Sequence, residues 1–410
     1  MIKNLGEKYS PLYFLASLGF GGMGVFFFMY FMFLTPHPDT AMPTFNSIST
    51  AFASGSTGMQ TTIVIAYIGM IAMIATHFAL LAWNFREFNI WKKTPAYDKL
   101  RNSNAAVTLL AIPLTLGMSV NGLFVLSATL IPNLWNVIEY AFPFALLAFT
   151  LIGLLAVKYL WDHLSRVFSG KFSFEANGGL NQILAAFAFA MVAVGFAASA
   201  AMSEQTWTIL AGMIGSILFA ITAVLLWLMF FTMGVYSMLK HGLAVANSAT
   251  LWLTVPILTL LGIMVVRDSH GVQTFQSLAG NPAPAGPGAT MGLMIFLTVA
   301  ILMQVVFLVM GHLAMRKNGF YKEFVFSRNQ QSPNAFTLVC PGVAFGVLGF
   351  FWIHAGLVNN GIIERYSAGY FVLVAIMIAV QVATLALMAV LVKNQLRPAL
   401  ATEKSAVVSA

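Results

Sequence analysis

Charged side chains are scarce in this 410-residue chain. They make up 8% of its residues, whereas a soluble domain carries roughly 25%. Hydrophobic residues account for 60%, and the mean hydropathy is +0.87. A chain of this length and composition cannot cover its apolar surface with polar groups. The sequence therefore predicts an all-α integral membrane protein rather than a soluble enzyme or binding domain.

Cysteine is nearly absent, and the common motifs of catalysis are missing from the sequence. The single thiol, Cys340, excludes an intramolecular disulfide framework and a cysteine-based metal cluster. No Walker loop, dinucleotide fingerprint, catalytic triad or metalloprotease motif occurs, so we expect no enzymatic activity, cofactor or metal. Basic loops interleaved with aromatic residues are typical of a membrane interface and not of a nucleic-acid partner. Residues 1–10 are polar and few, and the apolar run after them is long enough to span and lacks a small-residue cleavage site, so we also expect no cleavable signal.

Long apolar runs dominate what is present. A helix needs about 20 apolar residues to cross the hydrocarbon core of a bilayer, and ten stretches meet this requirement. They are 11–34, 61–85, 105–130, 134–160, 180–202, 206–236, 247–266, 289–315, 335–357 and 367–393. We expect one transmembrane domain over residues 1–397, followed by a short cytoplasmic tail over 398–410.

The links between these stretches alternate strictly in basic charge. Of the 20 Lys and Arg residues, 18 fall on one side, which leaves Arg267 and Arg365 on the other. The positive-inside rule then places both termini in the cytoplasm. Most links on the opposite side are short, so the spans are predicted to pair as five tandem hairpins.

Proline and glycine are concentrated in the odd-numbered spans. The clearest positions are Pro113, Pro256, Pro341, Gly342, Gly346 and Gly349. Irregular backbone at membrane depth is tolerated where it is buried in protein or lines a water-filled cavity. We therefore predict an inner ring of odd-numbered helices around a central pore, with these residues shaping the passage.

The ninth span carries its glycines on one narrow helical face. Phe345 flanks this face on one side and Phe350 on the other, at about 100° of rotation per residue. Small residues at this spacing are also typical of close helix–helix packing. The alternative is that the bare face widens a passage that an aromatic ring partly closes. In that case Phe345 is the predicted gate and Phe350 its substitute.

All twelve carboxylates fall in the predicted links or near span ends, and the spans contain no embedded lysine or arginine. Embedded carboxylates are the usual proton and cation relays, so a cation pump is disfavoured. An uncharged polar pathway suits a weakly held anion. The candidate lining residues are Ser17, Thr115, Ser119, Asn121, Thr337 and Cys340. Each of these hydroxyls and amides could equally bond to a neighbouring carbonyl.

Ten spans, both termini inside, tandem hairpins and irregular odd helices together resemble the slow-anion-channel and tellurite-resistance TehA family. The resemblance covers about residues 15–395. It implies a channel or facilitative transporter in a bacterial inner membrane for monovalent anions, chalcogen oxyanions or C4-dicarboxylates. It further implies a homotrimer of separate pores, each occluded by a phenylalanine of the ninth span, here Phe345. The segments 35–60 and 267–288 make this chain longer than compact bacterial members. The chain also looks like the TsoY-type subgroup, in which Cys340 would take the redox-atom position.

Two rival functions stay open at the level of sequence. His77, His312 and His354 lie within or near spans, and paired histidines can ligate haem, so one rival is a quinone- or haem-binding membrane subunit. Each histidine could instead make a hydrogen bond between helices. The second rival is an ion-coupled secondary transporter.

Overall fold

The computed structural model describes residues 3–281, 286–327 and 332–396. The predicted tail, 398–410, lies outside the described residues. Within the described ranges the chain forms helices without a strand, and ten of these are long and apolar enough to cross a membrane. They are Pro11–Leu34, Thr57–Trp91, Asn104–Leu130, Phe142–Phe168, Asn181–Met202, Thr206–His241, Val245–Leu278, Gly288–Lys317, Pro333–Val358 and Ala368–Gln395. The predicted number of spans is confirmed.

Several helix boundaries differ from the sequence prediction, and three of them matter for the site and its surroundings. The seventh span continues to Leu278, through residues that the sequence predicts to be a link. The fourth begins at Phe142, because Leu134–Tyr140 forms a separate 3-10 helix. The second begins at Thr57, where the hydroxyl of Ser56 accepts the N–H of Met59. Hydropathy marks only the apolar part of a helix, whereas the helix itself can extend into the polar interface.

Every odd-numbered span begins with a 3-10 segment at its Lys/Arg-rich end and continues as an α-helix. The pairs are Pro11–Tyr13 with Phe14–Leu34, Asn104–Leu110 with Ala111–Leu130, Asn181–Ile183 with Leu184–Met202, Val245–Trp252 with Thr254–Leu278, and Pro333–Leu338 with Val339–Phe351. Pro113, Pro256 and Pro341 each occupy the third residue of the α-helical part. The first N–H groups of an α-helix lack an intrahelical acceptor, so proline is tolerated there. These prolines mark the change from 3-10 to α-helix and do not break the middle of a helix.

The even-numbered spans are continuous α-helices. Their bounds are Thr57–Trp91, Phe142–Phe168, Thr206–His241, Pro287–Lys317 and Ala368–Gln395. Pro143 is the second residue of its helix, a position in the first turn where proline is well accommodated. The expected fourth span, 134–160, would place Pro143 inside the helix, but here it lies in the first turn and does not break the helix. The ninth span is also irregular at its far end, where Trp352–Val358 is a π-helix.

Burial separates the odd spans from the even ones. In the most apolar 18 residues of each span, 61–94% are buried for the odd-numbered spans but only 28–33% for the even-numbered ones. Each odd span contacts the next odd span, and the ninth contacts the first. Each even span packs on the odd span that precedes it. The odd spans therefore form the interior, and the even spans present their apolar faces outwards.

Shorter helices complete the connections. They are Gly6–Lys8, Phe45–Ser54, Pro95–Arg101, Phe174–Asn177 and the π-helix Tyr321–Val325. Phe45–Ser54 lies within the long segment 35–60 and begins with a capping box. In this box the Thr44 hydroxyl accepts the N–H of Ser47, and the Ser47 hydroxyl accepts the N–H of Thr44.

Amide side chains connect the 3-10 ends of the odd spans. The Asn334 amide donates to Oδ1 of Asn247 at 3.2 Å, and the Asn247 amide donates to the Asn177 carbonyl at 3.2 Å. Gln182 donates to Oδ1 of Asn177 at 3.1 Å and to the Asn104 carbonyl at 3.2 Å. These bonds tie the third, fifth, seventh and ninth spans together at their Lys/Arg-rich ends.

Candidate functional site

A cavity of about 180 Å³ lies between the odd-numbered spans. All five of these spans line it; one residue from each, in chain order, is Met29, Asn121, Met191, Arg267 and Phe351. Most of the lining consists of methionine, phenylalanine and aliphatic side chains. The cavity is thus an apolar chamber inside the helical bundle, with few polar groups.

The cavity extends towards the side that is poor in Lys and Arg. Met202, the last residue of the fifth span, lines it, and so do Ala41 and Met42 from the loop after the first span. His37 lies in the same loop, where burial lowers its pKa, the nearby Arg365 lowers it further, and a bond to the Thr35 carbonyl partly offsets both effects. His37 is therefore largely neutral near pH 7 and adds little positive charge at this end.

Arg267 is the one lysine or arginine among the described residues that line the cavity. Its Nη1 donates to the Val194 carbonyl of the fifth span at 2.9 Å. A guanidinium has five N–H donors, so this bond uses only one of them. No carboxylate of the described residues lies within 4.0 Å to form an ion pair with it. His270, one turn further along the seventh span, also lines the cavity.

Asp268 follows Arg267 but bonds to a different helix. Its Oδ2 accepts the hydroxyl of Ser216, on the sixth span, at 2.9 Å. Its Oδ1 is buried without a hydrogen-bond partner among the described residues. The expectation that the spans hold no embedded carboxylate or arginine is therefore wrong. The error arises because the sequence prediction ended the seventh span at residue 266.

Three of the predicted site residues line the cavity: Asn121, Cys340 and Pro256. The Asn121 amide lies 3.6 Å from Sδ of Met191, which is a weak acceptor, so this carboxamide can still bind a ligand. Cys340 is buried with a free thiol. A small buried cysteine is usually a packing residue, and nothing in its surroundings gives it a further role.

Four other predicted lining residues lie outside the cavity, with Pro113 and Pro341. The Ser17 hydroxyl donates to the His77 carbonyl at 2.8 Å, and Thr115 donates to the Ala111 carbonyl at 2.8 Å. Ser119 donates to the Thr115 carbonyl at 3.0 Å, while Thr337 is buried among the 3-10 ends. The predicted pore-lining role of these residues is corrected, because neighbouring carbonyls satisfy the first three hydroxyls.

The glycine face of the ninth span is packed against protein. A Cβ on Gly346 would overlap the ring of Phe26, on the first span. Gly342 faces Thr384 and Gly349 faces Met377, both on the tenth span. Close helix packing, the first of the two interpretations, is therefore correct for all three glycines, and they do not widen a passage.

Neither predicted gate residue lines the cavity. Phe345 packs against Val255 and Phe307, which belong to the seventh and eighth spans. Phe350 is fully buried, and its ring centre lies 6.1 Å from that of Tyr30 on the first span. The ninth-span phenylalanine that does line the cavity is Phe351, a residue that the sequence analysis did not single out. Its place could be read only from the direction of its side chain.

The histidines considered as haem ligands make hydrogen bonds instead. His77 bonds to the Ser17 carbonyl through Nδ1 and to Ser119 through Nε2, both at 2.8 Å. His354 bonds to the Phe350 carbonyl and to the Tyr370 hydroxyl. His312 is 3.0 Å from the Tyr321 hydroxyl. In His77 and His354 both ring nitrogens are engaged, so neither offers a lone pair to a metal without losing a bond between elements.

Comparison with known proteins found no match among family models, curated proteins or solved structures. Among the described residues, the cavity and the guanidinium of Arg267 are the features that point to a function.

Proposed function

We propose that this protein is a membrane channel or facilitative transporter for small anions. The five odd-numbered spans form an inner ring around the transport pathway, and each is followed by its even partner as a hairpin. The observation that carries the proposal is Arg267, a guanidinium in an apolar cavity that forms no ion pair within 4.0 Å with any carboxylate of the described residues. A buried charge is costly unless it is paired, so an anion that enters the cavity supplies the missing partner.

The closed end of the cavity supports a gated pathway. Beyond Cys340 and Pro256 the 3-10 ends of the odd spans pack together. Hydrogen bonds donated by the side-chain amides of Asn334, Asn247 and Gln182 link them. Residues at these ends, such as Phe336 and Leu251, are buried. In this conformation the site is accessible from the Lys/Arg-poor side, and release to the other side requires the 3-10 ends to separate.

Replacing Arg267 tests the proposal. In proteoliposomes, Arg267→Gln should lower the flux of chloride, nitrate and acetate by roughly tenfold to a hundredfold. The reason is that hydrogen bonds to a charged group contribute about 1.5–3 kcal/mol. Arg267→Lys keeps the charge but loses the planar fork, so its flux should be intermediate. Flux is measured with ion-selective electrodes and normalised to folded protein.

Arg365→Gln is the matched control. It removes the same charge on the same side, but Arg365 lies outside the cavity and donates to the Phe33 carbonyl at 2.7 Å. Its flux should equal that of the unchanged protein. Equal fluxes for Arg267→Gln and the unchanged protein would show that the guanidinium takes no part in anion transport.

Asp268 favours a second candidate function, proton-coupled anion transport. Its buried Oδ1 has no partner among the described residues, and an ionised carboxylate beside Arg267 weakens the positive potential that attracts an anion. Ser216 and Arg267 are the polar and charged groups that interact with it. Protonation of Asp268 would then accompany anion entry. Asp268→Asn should make uptake independent of an imposed proton gradient, and a gradient dependence equal to that of the unchanged protein would exclude this role.

We also propose that this chain is related to the slow-anion-channel and tellurite-resistance TehA family, that it forms a homotrimer and that it lies in a bacterial inner membrane. The closed ring of odd-span contacts supports the resemblance, since it is the arrangement that the resemblance implies. The redox-subunit alternative predicts a bound chromophore, so an absorbance scan of the purified protein distinguishes it from a transporter.

A further inference from the structure

We propose that the cavity selects a monovalent anion with an apolar body, namely a small aromatic or branched-chain monocarboxylate. This inference rests on the proposed function and specifies its substrate class. It is carried by the combination of one guanidinium with an otherwise apolar chamber of about 180 Å³.

The charge of the cavity fits one negative charge and not two. Arg267 is the only arginine or lysine in the described lining, and the carboxyl of Asp268 follows it on the same helix. A dianion would bring a second charge with no cation to meet it, and Asp268, when ionised, would repel that charge. A carboxylate matches the planar guanidinium in two parallel hydrogen bonds. The cavity is therefore matched to a monoanion, and a carboxylate fits the guanidinium best.

The lining favours an apolar body on that anion. The cavity that Arg267 lines has a wall formed largely by apolar side chains such as Met29, Met32, Met191 and Phe351. A small inorganic anion would leave its water shell and find few donors in its place, which is costly. An apolar body instead gains from burial against this wall. Methionine adapts its shape and contacts aromatic rings well, so the wall accommodates rings and branched chains.

The volume is sufficient for such a ligand. A cavity of about 150 Å³ lined by apolar side chains binds benzene. The slightly larger chamber here can take a six-membered ring or a branched carbon chain while the carboxylate contacts Arg267. Asn121, whose carboxamide has only the weak Met191 contact, offers a further donor for a carboxylate oxygen.

Competition in proteoliposomes tests this inference on the unchanged protein. Uptake of radiolabelled benzoate is measured against unlabelled benzoate, 3-methylbutanoate, acetate, chloride, nitrate, sulfate and succinate. We expect benzoate and 3-methylbutanoate to compete at concentrations at least tenfold lower than acetate, and sulfate and succinate to compete least. Because no variant is needed, a folding defect cannot obscure this result.

A polar substitution in the wall provides the matched variant test. Met32→Gln should lower the preference for benzoate over acetate at least fivefold, while Met291→Gln, exposed at the start of the eighth span, should leave it unchanged. Equal competition by acetate and benzoate, or the absence of benzoate uptake with Arg267-dependent chloride or nitrate flux, overturns the inference but not the proposed function. If no anion flux depends on Arg267, both fail.

Discussion

Gly346→Ala should clearly lower the thermal midpoint of the protein in detergent. The new Cβ would overlap the ring of Phe26, which is fully buried and contacts Phe350 edge-on at 6.2 Å. That ring has no free space to move into, so the first and ninth spans must separate. Overpacking a well-packed core costs about 1–3 kcal/mol, and occasionally more. We expect the upper end of this range, measured as a lower thermal midpoint in fluorescence-detected size-exclusion chromatography.

Two variants control this result. Gly292→Ala places the same methyl group in the eighth span, where no atom lies within 4 Å of its position, and it should leave the midpoint unchanged or raise it slightly. Phe26→Leu shortens the side chain that meets the new methyl, so the double variant with Gly346→Ala should regain part of the lost stability. A normal midpoint for Gly346→Ala alone would mean that this helix contact is not tight.

Much of the fold could be predicted from the sequence. Hydropathy identifies ten spans because the cost of burying charge in a bilayer leaves long uncharged runs. The concentration of Pro113, Pro256 and Pro341 in odd spans indicates which helices are irregular, and the structure places 3-10 segments there. It does not indicate the form of the irregularity. The first N–H groups of an α-helix have no intrahelical acceptor, so proline is tolerated there; these residues lie in the first turn after a 3-10 segment and do not break a helix.

The site was harder to predict, because the direction of each side chain and the residues that it contacts decide whether it lines the cavity. A glycine face is equally compatible with a pore wall and with close packing. The contact of Gly346 with Phe26 joins the ninth span to the first, which is distant in sequence, and the contact of Gly349 with Met377 joins it to the tenth. Likewise, Phe345, Phe350 and Phe351 lie within seven residues, and only the packing of the spans shows which ring lines the cavity.

Arg267 was visible in the sequence but was assigned to the wrong environment. The count of basic residues already marked it as one of two on the Lys/Arg-poor side. Its segment, VVRDSHGVQTFQ, is too polar for a hydropathy threshold, so the span appeared to end before it. In the structure the helix continues to Leu278; Arg267 and His270 line the cavity, and Asp268 accepts a hydrogen bond from Ser216. Helical periodicity beyond the apolar run is the signal that could have found it.

Phe351→Ala should raise anion flux and Phe345→Ala should not, so the two variants together test where the proposed pathway runs. Phe345→Ala removes a half-buried ring that packs on the cluster of Val255 and Phe307, so its cost should be below that of truncating a fully buried phenylalanine, which is about 3–5 kcal/mol. Flux per folded molecule should stay unchanged, because this ring does not line the cavity. Phe351→Ala removes an apolar ring from the cavity wall itself. If the chamber limits anion passage by excluding water, flux should rise about tenfold, which corresponds to a barrier lower by about 1.4 kcal/mol.

The same two variants give a direct reading of the original gate prediction. Both are measured in proteoliposomes with acetate and chloride, and the amount of folded protein is taken from size-exclusion chromatography. A rise in flux for Phe345→Ala without one for Phe351→Ala would place the pathway between the seventh and eighth spans, outside the cavity. A rise for Phe351→Ala that disappears when Arg267→Gln is added would tie the aromatic wall and the guanidinium to one route. That result would support a proposed route in which the benzyl group limits how much water enters and the guanidinium determines which ion replaces that water.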